Sequence, residues 1–290
     1  MTQLAVHEAG LASAPAVVLL HGVGNDGTMW RSVMDGLPEY HCLAPDLPGH
    51  GQSRPIPWRT RQHTATQLAK LIEDRAGGKA HVVGLSLGGS VALQLLATRP
   101  DVLDHVIVDG CSAIGSPLIG PMKLGVAAIS PFLRFASVAR LIGRAFGVAP
   151  GPGMDDFVGQ ITTVDSRSFR RAFADANDVR ITPRLLAAPC RTLLVAGENE
   201  LRHVRVSNQL LAERMPNAEA LVVPNAGHGW GSSTSPDLHL AMVRAWLADV
   251  GLPDGLGAET ISDTAAGPRQ GARRSKGATR ITQPRDTHAQ

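Results

Sequence analysis

The stretch Val82-Val83-Gly84-Leu85-Ser86-Leu87-Gly88-Gly89 constrains this chain more than any other. The apolar run from Ala80 to Leu85 has the length of a buried strand. Val91, Ala92, Leu95 and Leu96 then recur at four-residue spacing, as on a helix that stops before Pro100. Between strand and helix lies Gly-x-Ser-x-Gly. A chain that passes from strand to helix in so few residues must turn sharply, and a serine at the tip projects its hydroxyl above the sheet edge. Such a backbone is strained, and a Cβ at Gly84 or Gly88 would press on the neighbouring strand or helix. The following helix aims its unpaired N–H groups at the same point, where negative charge develops. The stretch reads as a nucleophile elbow, with Ser86 as the nucleophile.

The rest of the chain supplies a sheet for that elbow. Leu4 to His7 is expected to be a short first strand, and Ala16 to Leu20 a second, ending in His21-Gly22-Val23-Gly24. Thr28 to Leu37 reads as a helix capped by Asp26 or Thr28. His41 to Ala44 reads as a strand running into Pro45-Asp46-Leu47-Pro48-Gly49-His50-Gly51-Gln52-Ser53, and Ala65, Leu68, Leu71 and Ile72 line one helix face. After the elbow and its helix, His105 to Val108 is a strand closed by Asp109-Gly110. Strands alternating with helices predict an α/β fold with a doubly wound, mostly parallel sheet, whose site lies at the carboxyl ends of the strands.

From Ser112 to about Thr182 the strand rhythm lapses. Phe135, Val138, Leu141 and Ile142 recur at helical spacing, so the segment is expected to be a helical insertion over the strand ends. Sheet rhythm returns at Arg191 to Ala196. A helix over Val204 to Met215, a strand over Ala220 to Val223 and a last helix behind Ser235-Pro236 follow. The expected organisation is a core of residues 1–111 and 183–250, a helical cap of 112–182, and a disordered tail of 251–290, poor in large apolar residues.

Composition excludes several function classes. Cys42, Cys111 and Cys190 are scattered and show no CxxC or Cys/His ligand spacing, so neither a disulfide frame nor a structural zinc site is indicated. The net charge of +3 sits largely in the tail. From Gly251 onward six Lys/Arg face four Asp/Glu, which leaves plus one for the remainder. A folded nucleic-acid binder ordinarily carries a basic patch on its globular part, and with that part so near neutrality nucleic acid is not an expected partner. The apolar region from Leu118 to Val148 is interrupted by Pro121, Lys123, Pro131 and Arg134, which argues against a membrane span. With no signal-like N-terminal segment, a cytoplasmic location is the expectation.

A serine nucleophile needs a base, an acid to orient it and an oxyanion hole. His228, in Asn225-Ala226-Gly227-His228-Gly229-Trp230, follows the last strand and is the candidate base among eleven histidines. For the acid, Glu200 in Gly197-Glu198-Asn199-Glu200 is favoured, with Glu198 as the near alternative and Asp109 as the distant one. The backbone N–H groups of Val23 and Leu87 are the candidate oxyanion donors, and His21 reads as a brace for its loop.

These residues together resemble the α/β-hydrolase-fold superfamily of esterase/lipase-like serine hydrolases. The resemblance rests on His21-Gly22 with Trp30, on Asp46 to Ser53, on Gly84 to Gly89, on Gly197 to Glu200 and on Gly227-His228, in the order serine, acid, histidine. It covers about residues 4 to 250. It departs at Glu200, where the family usually has Asp, and at Leu85, where it often has His. The resemblance implies that Asp46 belongs to a supporting turn. The expected function is hydrolysis of a carboxylic ester of a small to medium apolar substrate through an acyl-enzyme, with no metal or organic cofactor. Hydrolysis of a lactone, thioester or C–C bond, acyl transfer with the same residues, and a non-catalytic ligand-binding role are the rivals. A small-molecule substrate is the expected partner, and a homodimer is left open.

Overall fold

The computed structural model describes residues 3–256, apart from 117, 149 and 234. Of the expected tail, residues 257–290 lie outside the described residues.

Seven strands form one sheet in the order β1-β3-β2-β4-β5-β6-β7. They are β1 (Val6–Ala9), β2 (Ala16–Leu20), β3 (His41–Pro45), β4 (Ala80–Leu85), β5 (Leu103–Asp109), β6 (Arg191–Gly197) and β7 (Ala218–Val223). β1 pairs antiparallel to β3, and every other pairing is parallel. The helices are α1 (Arg31–Asp35), α2 (Arg61–Arg75), α3 (Leu87–Thr98), α4 (Ile119–Ile129), α5 (Ala136–Ala145), α6 (Pro152–Ile161), α7 (Ser166–Ala176), α8 (Pro183–Leu186), α9 (Arg202–Arg214), α10 (Trp230–Ser233) and α11 (Pro236–Leu247). Between β5 and β6 the described residues contain helices α4 to α8 and no strand.

The apolar strands are continuous because both faces are covered. Successive side chains of a strand point to opposite faces. In β2, Val18 and Leu20 join one core cluster while Val17 and Leu19 join the other. The first cluster is completed by α2, α3 and buried residues of the insertion such as Phe157 and Phe169, the second by Met34, Met242, Val243 and Trp246.

Four local expectations shift. The first strand is Val6–Ala9 rather than Leu4–His7, and is set by its pairing with β3. The helix expected over Thr28–Leu37 divides into a 3-10 turn over Gly27–Trp30 and the short α1. The reason is a long-range anchor: the Gly27 N–H donates to Asp46 Oδ1 at 2.8 Å, and Asp26 caps Thr28 at 3.0 Å. In the insertion, Ile142 is buried as its spacing suggests, but Phe135 and Leu141 face solvent. Ser235 precedes α11, but its side chain makes no capping bond.

The elbow shows why its glycines are required. A Cβ on Gly84 would lie 2.5 Å from the Gly88 carbonyl, and one on Gly88 would lie 2.2 Å from the Leu20 carbonyl oxygen. Both obstacles are backbone and cannot swing aside. Gly84→Ala is therefore expected to destabilise the fold by about 3 kcal/mol, the upper range for an overpacked core. Chemical denaturation would measure it, and a loss under ~1 kcal/mol would show that the elbow has slack.

Candidate active site

Ser86 caps α3 with φ +54 and ψ −106, a left-handed conformation that costs a non-glycine residue about 1–3 kcal/mol. The surroundings hold it there. Its N–H donates to the Asp109 carbonyl at 2.8 Å, the Gly88 N–H donates to the His21 carbonyl at 3.1 Å, and the Ser90 N–H returns to the Ser86 carbonyl at 2.9 Å. Strands β2 and β5 thus grip the turn from either side.

Two stitched loops bring an acid to the histidine. The Glu198 N–H donates to the Val223 carbonyl at 2.9 Å and the Asn199 N–H to the Ala226 carbonyl at 2.8 Å. Glu198 itself is used here: its Oε2 accepts the Asn225 N–H at 2.8 Å, which ties the end of β7 to the end of β6. Glu200 lies one turn further on, buried, and its Oε1 is hydrogen-bonded to His228 Nδ1. Among the described residues its other oxygen, Oε2, is buried without a partner. Gly110 makes room for the pair. Its φ is +60, and a Cβ there would come within 3.0 Å of the His228 ring and 3.2 Å of Glu200 Oε1.

Burial by itself lowers the pKa of the His228 imidazole. The hydrogen bond and negative charge of Glu200 outweigh it and leave the ring above the ordinary histidine value.

Asp109 is the third carboxyl of this neighbourhood. It is buried at the end of β5, and burial, reinforced by the charge of Glu200, pushes its pKa up to about 8. It therefore carries a proton at neutral pH. Because the unfolded chain ionises near the ordinary Asp value, the folded state binds more protons between about pH 4 and pH 8, and stability falls as pH rises through that window. Asp109→Asn removes the slope. Its melting temperature relative to the parent is expected to rise steadily from pH 4.5 to 8 and level off above. A difference that stays flat with pH would mean that Asp109 is ionised in the folded protein.

The loop after β2 is braced from two sides. The Leu47 N–H donates to His21 Nε2 at 2.9 Å, which puts the His21 proton on Nδ1, and that group donates to the Gly22 carbonyl at 2.8 Å. Burial holds His21 neutral, with its pKa down to about 4. From the insertion, Gln160 Oε1 accepts from Asn25 at 2.8 Å while its Nε2 donates to Thr28 Oγ1 at 2.9 Å. Asp46 holds the adjoining turn, its two oxygens accepting the N–H groups of Gly27 and Gln52 at 2.8 and 2.7 Å.

Val23, Ser86, Glu200 and His228 line one cavity of about 1390 Å³, together with Met122, Phe146, Phe157 and Phe173 of the insertion. Leu87 is buried directly behind Ser86 at the first position of α3, where a helix N–H has no partner within the helix. The sequence reading missed Gly110 as more than a strand end, and missed Gln160 altogether. A strand-closing glycine signalled the first. Nothing local signals a partner 135 positions away.

A serine at a strand-to-helix elbow, at the carboxyl edge of a mostly parallel sheet with helices on both faces, defines the α/β-hydrolase class of folds. The chain belongs to the alpha/beta hydrolase family, which it matches over residues 17–241. It is 30% identical over 249 residues to an AB hydrolase superfamily protein of Gibberella zeae, covering 83% of this chain and 82% of that one. Lipase LipV of Mycobacterium tuberculosis is 43% identical, but over 35% of this chain and 40% of the lipase. Among solved structures, a hydrolase from Pseudomonas aeruginosa PA01 superposes with a TM-score of 0.73 at 22% identity, covering 84% of this chain and 94% of that one. A thermophilic esterase from Thermogutta terrifontis does so with a TM-score of 0.71 at 24% identity, covering 85% and 93%. No helix of the described residues is long and apolar enough to cross a membrane.

Proposed function

We propose that the protein is a serine hydrolase that cleaves a carboxylic ester of an apolar substrate through an acyl-enzyme. Ser86 attacks the carbonyl carbon. His228 takes its proton and later returns it to the leaving alcohol, while Glu200 orients the ring and stabilises the imidazolium. The N–H groups of Val23 and Leu87 hold the oxyanion. Water, activated by the same histidine, then releases the acid. No metal or organic cofactor enters this scheme. The observation that carries the reading is the bond between His228 and Glu200 on the cavity into which the strained Ser86 opens.

Helices α4 to α7, in the segment 112–182, act as the cap. They supply the apolar roof, and a cavity of about 1390 Å³ exceeds the ~300–1,000 Å³ common for small-molecule sites. The acyl or alcohol group accepted is therefore apolar and of at least medium length.

A panel of p-nitrophenyl esters of graded chain length, run beside a fluorophosphonate probe, tests this. Turnover that rises with chain length, with the adduct mapped to Ser86, is the expected result. Failure of every ester together with no adduct would overturn the proposal.

A further inference from the structure

Eight large apolar side chains are exposed among the described residues, and five of them fall within one stretch of the insertion: Leu118, Leu124, Phe132, Phe135 and Leu141. Helix α4, Ile119–Ile129, is apolar apart from Lys123, yet none of its residues is buried. Met122, Val126 and Ile129 pack partly against the core, and Leu124 points the other way. A helix of that composition is ordinarily covered. The rings of Phe132 and Phe135 stack at 6.4 Å, and the Arg134 guanidinium lies 4.9 Å from the Phe135 ring centre.

The charge of this stretch is one-sided. Residues 110–154 hold Lys123, Arg134, Arg140 and Arg144 and not one Asp or Glu. Arg140 pairs with Asp155 at 2.9 Å, whereas Lys123, Arg134 and Arg144 have no carboxylate partner among the described residues. An apolar face bearing cations fits the headgroup boundary of an anionic lipid surface, where aromatic and aliphatic side chains enter the acyl region and Lys and Arg meet lipid charge. A second copy of the chain fits worse, because a two-fold contact would set these cations against their own images. Pro121, Met122, Arg144 and Phe146 of the same stretch line the catalytic cavity, so the face adjoins the route to Ser86.

We infer that the exposed face formed by Leu124, Phe132, Arg134 and Phe135 docks the enzyme on an anionic lipid surface, from which an apolar ester enters the cavity. The docking stands on this face alone, and the delivery of substrate rests on the ester reading of the site.

The test is co-sedimentation of the full chain with vesicles of phosphatidylcholine, with and without 30% phosphatidylglycerol, at 0.1 M and 1 M salt. The parent is expected to partition at least tenfold better onto the anionic vesicles at low salt. F132E/F135E and L124E should each lose at least tenfold of that binding. Both variants should keep the parent circular dichroism and, within twofold, its turnover of a short water-soluble ester. Ser86→Ala should bind vesicles like the parent, which separates docking from catalysis. Binding without ester turnover would leave the docking surface standing and remove the ester reading. Turnover without vesicle binding would do the opposite. Variants that bind as well as the parent, or a concentration-dependent dimer that the variants abolish, would overturn the lipid proposal.

Discussion

Ser86→Ala is expected to lower ester turnover by about 10⁴-fold or more, the scale on which removal of a serine nucleophile acts. The substitution deletes the attacking oxygen and leaves the turn otherwise intact, since Gly84 and Gly88 still meet the same backbone neighbours. Alanine at φ +54 carries the same strain as serine, so the melting temperature should stay within a few degrees of the parent. Fluorophosphonate labelling should vanish in parallel. Two results would sink the assignment: an adduct on another serine, or a variant that keeps more than a hundredth of the parent rate.

Glu200→Gln carries the second large effect. An amide cannot stabilise the imidazolium and can hold the ring in the wrong tautomer, and the analogous change elsewhere costs on the order of 10⁴ in kcat while the fold survives. A loss of at least 100-fold is expected here, with less than tenfold for Asp109→Asn and for Glu198→Gln. The ranking follows from partners: Glu200 bonds to His228, Glu198 bonds to the Asn225 N–H, and Asp109 is protonated at neutral pH.

The pH profile adds a readout that simple unfolding would not mimic. His228 must be neutral to act as a base, so kcat/KM falls on the acid side as the ring protonates. Glu200 keeps the imidazole above the ordinary histidine value, so the parent's acid limb lies above it too. Removing that negative charge lets the ring lose its proton more readily, and the residual activity of Glu200→Gln should show its acid limb at lower pH. If Asp109→Asn is the crippling change, or if the limb of Glu200→Gln does not move, the orienting acid lies elsewhere.

How far the sequence reached depends on the range of the interactions involved. The elbow was legible because its signature is local: Gly84 meets the Gly88 backbone four residues on, and Gly88 meets the Leu20 carbonyl of the strand that lies beside the elbow strand. The core strands were legible because burial on both faces leaves an uninterrupted apolar run, as in Ala16 to Leu20. The family's motifs placed Ser86 and His228 beside strand ends, and the structure finds both on one cavity.

What only the tertiary structure decided is where side chains distant in sequence meet. Three carboxyls are candidates to orient His228, and the sequence favours Glu200 without excluding Glu198 or Asp109. The stitching of residues 198–199 to 223–226 leaves Glu200 on the ring, employs Glu198 as a tie and leaves Asp109 buried with its proton. The Gln160 bridge to the Val23 loop has no local signal, because hydrogen bonding across 135 positions is set by how the insertion folds back. The same holds for Phe135 and Leu141. Helical spacing marked them as apolar partners of Ile142, but a spacing does not specify which arc of a helix the core covers, and the packing of the insertion turned these two toward solvent.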